Sequence, residues 1–104
     1  MKKYCVYITT YNGKLLPKYY IGSTSVKKIE SGYYGSVSSK KWKNIFKNEL
    51  INKPHLFSVK IDSYHNNRID ALNKELKLQI LNNVIYYNQQ NRTWNIKNKQ
   101  YICQ

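Results

Sequence analysis

Tyr4-Cys5-Val6-Tyr7-Ile8-Thr9-Thr10-Tyr11-Asn12-Gly13 begins with β-branched and aromatic residues and closes on Asn-Gly. Val, Ile, Thr and Tyr fit the pleated, half-buried surface of a strand. Asn-Gly supplies the two positive-φ residues of a type I′ turn and is the strongest short-range hairpin signal. The stretch therefore predicts a strand over 4–11, a tight turn, and a returning strand over 15–22 that ends in Tyr19-Tyr20-Ile21-Gly22. Pro17 is tolerable there at an edge or a bulge. Such a hairpin brings Tyr7 and Tyr20 onto neighbouring strands. Cross-strand tyrosines stabilise hairpins by themselves, so the pair reads as packing or as two phenols of a site.

Beyond the hairpin, 23–39 reads as a loop containing Gly32-Tyr33-Tyr34-Gly35-Ser36. A helix follows from about Ser38, with serines available as N-cap. Trp42, Ile45, Phe46 and Leu50 form its i, i+3, i+4, i+8 stripe, and Pro54 ends it. Phe57, Val59 and Ile61 alternate with Ser58 and Lys60 as a third strand. Asn66 or Asn67 then caps a second helix running to about Asn82, with Asp70 near its positive dipole end. A short strand or turn over 84–87 leads to a polar tail anchored by Trp94, Ile96 and Ile102.

On a helical wheel Ile69, Leu72, Leu76 and Ile80 share one arc, with Ala71 and Leu78 on its far shoulder. Glu75 falls between those groups, with Gln79 beside it, whereas Asp70, Asn73, Lys74 and Lys77 occupy the opposite, solvated side. A carboxylate facing protein must be paired, hydrogen-bonded or bound to metal. A buried ion pair and a metal ligand both answer that requirement, and magnesium often uses a single protein carboxylate with waters.

The chain has 104 residues, which fits one domain. Lys and Arg number 18 against 5 Asp and Glu, a net charge of +13. That imbalance repels itself unless a polyanion is the usual neighbour, and nucleic acid is the first candidate. No apolar run is long enough to span a bilayer. The N-terminal stretch lacks the apolar core of a signal peptide. With only Cys5 and Cys103 as cysteines, a reducing, cytoplasmic setting is expected. His55 and His65 stand apart from any Cys/His cluster of zinc-site spacing and read as ordinary surface histidines.

Taken in order, Val6-Tyr7-Ile8, Tyr20-Ile21-Gly22, the Gly-Tyr-Tyr-Gly-Ser segment, the helix carrying Glu75 and Tyr87-Asn88 resemble the GIY-YIG nuclease superfamily. The likeness is to the catalytic domain of its phage homing-endonuclease members. Cys5-Val6-Tyr7 stands where the family has Gly-Ile-Tyr, while the second half-motif is intact. The resemblance implies an α+β fold, a small three-stranded antiparallel sheet flanked by helices, over 1–90, with 91–104 as a polar C-terminal tail.

The same resemblance implies a divalent-metal-dependent DNA endonuclease that hydrolyses phosphodiester bonds. Tyr7 and Tyr20 correspond to the tyrosines of the two half-motifs, Glu75 to the glutamate that holds Mg²⁺ or Mn²⁺, and Asn88 to the late asparagine. Family members also carry an arginine after the second half-motif and, about a turn later, a histidine or tyrosine. Arg68 and Arg92 are the only arginines and lie elsewhere, so Lys28 is left to supply the charge and Tyr34 the hydroxyl. One phenol, Tyr7 or Tyr20, is expected to take the attacking water's proton once a lysine or the metal lowers its pKa from about 10. Lys40, Lys41, Lys43 and Lys47 are expected to grip DNA backbone phosphates. A homodimer or a separate DNA-targeting partner is the implied means of choosing a target. A chain that kept the scaffold and lost turnover with the arginine would instead be a non-catalytic nucleic-acid-binding module.

Overall fold

Strand β1 (Tyr4–Tyr11) lies at the centre of a three-stranded antiparallel sheet, between β2 (Tyr19–Ser25) and β3 (Phe57–His65). This is the α+β architecture expected, with helices on both faces. The computed structural model describes residues 2–35, 37, 42–81, 86–88 and 93–95, the last two segments by their backbone alone.

The β1–β2 connection is longer than Asn12-Gly13 predicts. Thr10 pairs with Tyr19, so β2 begins four residues later than the expected Leu15. The reason lies outside the hairpin. Asn12 N donates to Leu56 O at 2.9 Å and Tyr11 N to Lys18 O at 2.7 Å, while Leu15 N donates to Tyr11 Oη at 3.2 Å. Those bonds hold 12–18 open as a loop, and a two-residue turn would break them.

A one-turn helix, α1 (Val26–Glu30), occupies part of the segment expected to be loop. Ser25 caps it, its Oγ accepting from Lys28 N at 3.3 Å. So short a helix leaves no measurable apolar period. Helix α2 (Lys43–Asn52) has the predicted stripe, with Phe46 buried and Trp42, Ile45 and Leu50 packed against the same cluster. Ser38 and Ser39, offered as its caps, lie outside the described residues, and Trp42 occupies the N-cap position without a side-chain capping hydrogen bond. A 3₁₀ turn over Pro54–Leu56 leads into β3, which continues past Ile61 to His65.

Helix α3 (Arg68–Leu81) starts at the expected cap: Asn67 Oδ1 accepts from Asp70 N at 2.8 Å, and Asn67 Nδ2 donates to Asp70 Oδ2 at 3.1 Å. Its orientation is the surprise. Ala71, Glu75 and Gln79 face inward, whereas Ile69, Leu72, Leu76 and Ile80 are exposed. Ala71 lets the helix approach Val6 and Ile21 closely. Because β2 is an edge strand, its outward backbone needs partners, and Gln79 Nε2 donates to Ile21 O at 3.2 Å. Polar satisfaction of that edge, rather than the apolar arc, sets the rotation of α3.

The sheet's alternation divides the core. One face carries Tyr7, Tyr11, Tyr20 and Phe57, covered by Leu16, Val37 and Phe46; the other carries Val6 and Ile21 under α3. Cys5 is a buried free thiol, and burial pushes it above its ordinary pKa. Two short strands, β4 (Tyr86–Asn88) and β5 (Thr93–Asn95), pair antiparallel, the second within the stretch expected to be tail. Val84, Ile96, Ile102 and Cys103 lie outside the described residues. Among the described residues no helix is long and apolar enough to cross a membrane.

Candidate active site

Tyr7 sits directly across from Gly22 on β2 and from Ile61 on β3, and Tyr20 across from Thr9. The two tyrosines are therefore diagonal rather than face to face. Their rings are 6.0 Å apart and their hydroxyls are hydrogen-bonded. A β-bulge between Val6 and Tyr7 in the β1–β3 ladder falls at this point, where such irregularities re-aim side chains.

Gly22 makes the diagonal contact possible. A Cβ there would lie 2.6 Å from Tyr7 Oη and 2.8 Å from Tyr20 Cε1, so any side chain would occupy the space of the phenols. Gly35 does the same from above. Its φ is +125°, and a Cβ would come within 2.7 Å of Tyr20 Cε1, so the loop backbone lies flat on that ring. Thr9 Oγ1 donates to Tyr34 O at 2.6 Å and secures the loop to β1. The glycines of the Tyr-Ile-Gly and Gly-Tyr-Tyr-Gly segments thus serve one pair of rings.

Among the tyrosines after Gly32, the structure brings Tyr33 rather than Tyr34 to the pair. Tyr33 meets Tyr7 edge-on at 6.2 Å, and Lys28 Nζ lies 4.5 Å from the centre of the Tyr33 ring. Tyr34 packs against Phe57 at 6.2 Å, away from Lys28. Tyr33, and not the Tyr34 expected at the site, is thus the tyrosine of this segment whose ring contacts Tyr7. Lys28, on α1, is exposed and joins the site through Tyr33.

Glu75 is 5% exposed on the inward face of α3, and its carboxylate charge acts on Tyr7. Burial is the main force on Tyr7 and pushes its phenol far above the ordinary value; ionised Tyr20 and Tyr33, the hydrogen bond to Tyr20 and Glu75 all act in the same direction. No lysine is among these influences, and the protein groups around Tyr7 favour its neutral phenol.

The donor set fits a hard divalent cation. Glu75 offers carboxylate oxygens, and Gln79, four residues on and 3% exposed, has an Oε1 without a hydrogen-bond partner among the described residues. Oxygen donors in small number suit Mg²⁺ or Mn²⁺, which keep several waters. No group of three or more His, Cys, Asp or Glu among the described residues makes a larger metal cluster. His65 instead shares a 2.8 Å hydrogen bond with Ser63 Oγ, and His55 is exposed in the 3₁₀ turn.

Lys43 and Lys47 are exposed on α2, while Lys40 and Lys41 lie outside the described residues. Asn88 is in β4, and its side chain is likewise outside them. A second buried carboxylate went unnoticed in the sequence: Glu49 accepts from Tyr11 Oη at 2.5 Å and lies 3.9 Å from Lys53 Nζ. Its i+4 lysine was the one available signal. Arg68 also went unassigned, yet it lines a cavity with Lys28 and Tyr33. In comparisons with family models, with curated proteins and with solved structures, nothing matches the chain.

Proposed function

We propose that this chain is a divalent-metal-dependent DNA endonuclease that hydrolyses phosphodiester bonds, of the GIY-YIG type seen in phage homing endonucleases, acting in the cytoplasm. The observation that carries the reading is the buried Tyr7–Tyr20 pair, rings 6.0 Å apart in the space Gly22 leaves, with Glu75 buried on α3. Strand packing alone accounts for two tyrosines. The buried Glu75 carboxylate on α3 stands where the family resemblance places the metal-holding glutamate.

Glu75 would hold Mg²⁺ or Mn²⁺, which supplies neutralisation of a phosphate oxygen and of the departing 3′ oxygen. Tyr7, kept as a neutral phenol, donates a hydrogen bond through Tyr20 or directly to the phosphate or the attacking water. Water adds to phosphorus as the bond to the 3′ oxygen breaks. The water's proton passes to solvent or to Tyr20 in its phenolate form, and the 3′ oxygen leaves as a hydroxyl with a proton taken from solvent. Tyr33 and Lys28 face the anionic strand beside the pair, and Lys43 and Lys47 contribute positive charge on α2. Asn88 is kept as a site residue on the family resemblance alone. One carboxylate site per chain makes a nick the elementary event, with a second copy or a DNA-targeting partner required for concerted cutting of both strands.

The test is conversion of supercoiled plasmid to open-circle or linear DNA by wild type and Glu75→Ala in Mg²⁺, Mn²⁺ and EDTA. Metal-dependent conversion that Glu75→Ala abolishes is the expected result. Salt-sensitive DNA binding by both proteins with no conversion under any metal would replace this reading with the non-catalytic binding module.

A further inference from the structure

A cavity of about 450 Å³ opens at the outer edge of β2, walled by Lys28 from the α1 side and by Arg68 from the α3 side. Ser23, Thr24 and Ser25 supply hydroxyls along its floor, and Tyr33 closes the end toward Tyr7. None of its lining residues is acidic. Among the described residues neither Lys28 nor Arg68 forms a salt bridge, and the carboxylate nearest Arg68 in sequence, Asp70, is engaged by Asn67. Ser25 Oγ accepts from Lys28 N, which leaves its own proton to donate. Two cations that form no salt bridge among the described residues and three hydroxyls around one hollow ask for an oxyanion.

We propose that this cavity binds a backbone phosphate of the DNA strand next to the phosphate at the tyrosine pair, with Arg68 as its principal contact. The guanidinium gives bidentate hydrogen bonds that a lysine point charge cannot reproduce. Lys28 is placed by its stacking on Tyr33, and Tyr33 touches Tyr7 on its other side. The two phosphate positions are thus one aromatic ring apart, and filling the cavity fixes the register of the strand across the phenols. Arg68 is a positioning residue from α3 that takes over phosphate gripping where α1 offers only lysine. The inference rests on the nuclease reading for the identity of the anion, but the anion site itself needs neither metal nor turnover.

Its test uses thymidine 3′,5′-bisphosphate in EDTA, followed by amide chemical shifts, with plasmid nicking measured in parallel. Wild type is expected to show saturable shifts at Ser23–Ser25, Lys28, Tyr33 and Arg68. Arg68→Gln and Arg68→Lys are each expected to weaken binding at least tenfold, and Lys28→Gln less. For duplex DNA, Arg68→Gln should lower the slope of log affinity against log salt by about one phosphate contact, roughly 0.9. Shifts confined to other surfaces, or binding unchanged in Arg68→Gln, overturn the proposal. Bisphosphate binding lost in Arg68→Gln, with no nicking by wild type in any metal, would keep the anion site and remove the nuclease.

Discussion

Gly22→Ala tests whether the glycine of Tyr20-Ile21-Gly22 exists to admit the phenols. The added Cβ would lie 2.6 Å from Tyr7 Oη and 2.8 Å from both Tyr7 Cζ and Tyr20 Cε1. Carbon contacts are favourable only near about 3.5–4.0 Å, so each ring must move by about an ångström. Neither has room. Tyr7 and Tyr20 are 1% and 2% exposed, and Tyr20 is held by Gly35 on one side and by Phe46, 6.2 Å away, on another. Overpacking of this kind costs about 1–3 kcal/mol, offset by roughly 0.4–1 kcal/mol from the stiffer unfolded chain. A net loss of about 1–2 kcal/mol should lower the urea midpoint by roughly 1 M for a domain with a slope of about 1–3 kcal/mol/M. Urea unfolding followed by far-UV circular dichroism gives the midpoint, and plasmid nicking on the same samples should fall with it. In a Tyr7→Ala background the penalty should shrink by about 0.5–1 kcal/mol or more, because the pair is in contact. A Gly22→Ala midpoint equal to or above wild type, or strict additivity with Tyr7→Ala, would refute the close-approach explanation.

Alkaline stability is the next expectation. Tyr7 is raised by burial first, so folding favours its protonated form; that contribution is complete below the unfolded phenol's pKa and is lost as pH rises above about 10. At pH 11 the loss from Tyr7 should reach about 1.4 kcal/mol relative to pH 8, and Tyr7→Phe should be spared that amount in denaturant titrations. Cys5 and Tyr11 are raised as well and add to the wild-type slope in the same direction. Tyr11→Phe, which removes the 2.5 Å hydrogen bond to buried Glu49, should cost about 1–3 kcal/mol in thermal or urea unfolding. Tyr33→Phe should reduce nicking several-fold more than Tyr34→Phe, since Tyr33 is the one that contacts both Tyr7 and Lys28; a larger loss in Tyr34→Phe would return the hydroxyl role to Tyr34.

What the sequence made legible is what local rules govern. The strand composition of β1, the alternation of β3, the Asn67 cap and the stripe of α2 all follow from propensity, period and capping chemistry, and the structure has them. Glu75 could be singled out because a wheel shows which residues share an arc. The same wheel could not say which arc faces the sheet: Gln79 bonding the Ile21 carbonyl decided that, and the two residues are 58 apart in the chain. The Asn12-Gly13 turn failed for a similar reason, since Leu56 claims the Asn12 amide from another element. Neighbouring Tyr33 and Tyr34 are indistinguishable by type, and only the path of the loop between Gly32 and Gly35, both at positive φ, separates them. Arg68 is far in sequence from Lys28, and nothing short of the fold brings them to one cavity.

The measurement that bears most directly on the account is the ratio of DNA cleavage to DNA binding for wild type and Glu75→Gln on one supercoiled plasmid, in Mn²⁺. Glutamine keeps the side chain's size and removes its charge, and circular dichroism on the same samples checks the fold. The account predicts nicking reduced by at least about a hundredfold, the scale of a lost catalytic group, with affinity equal or tighter. Nicking within a few-fold of wild type would show that the Glu75 carboxylate does not serve catalysis and would contradict the account.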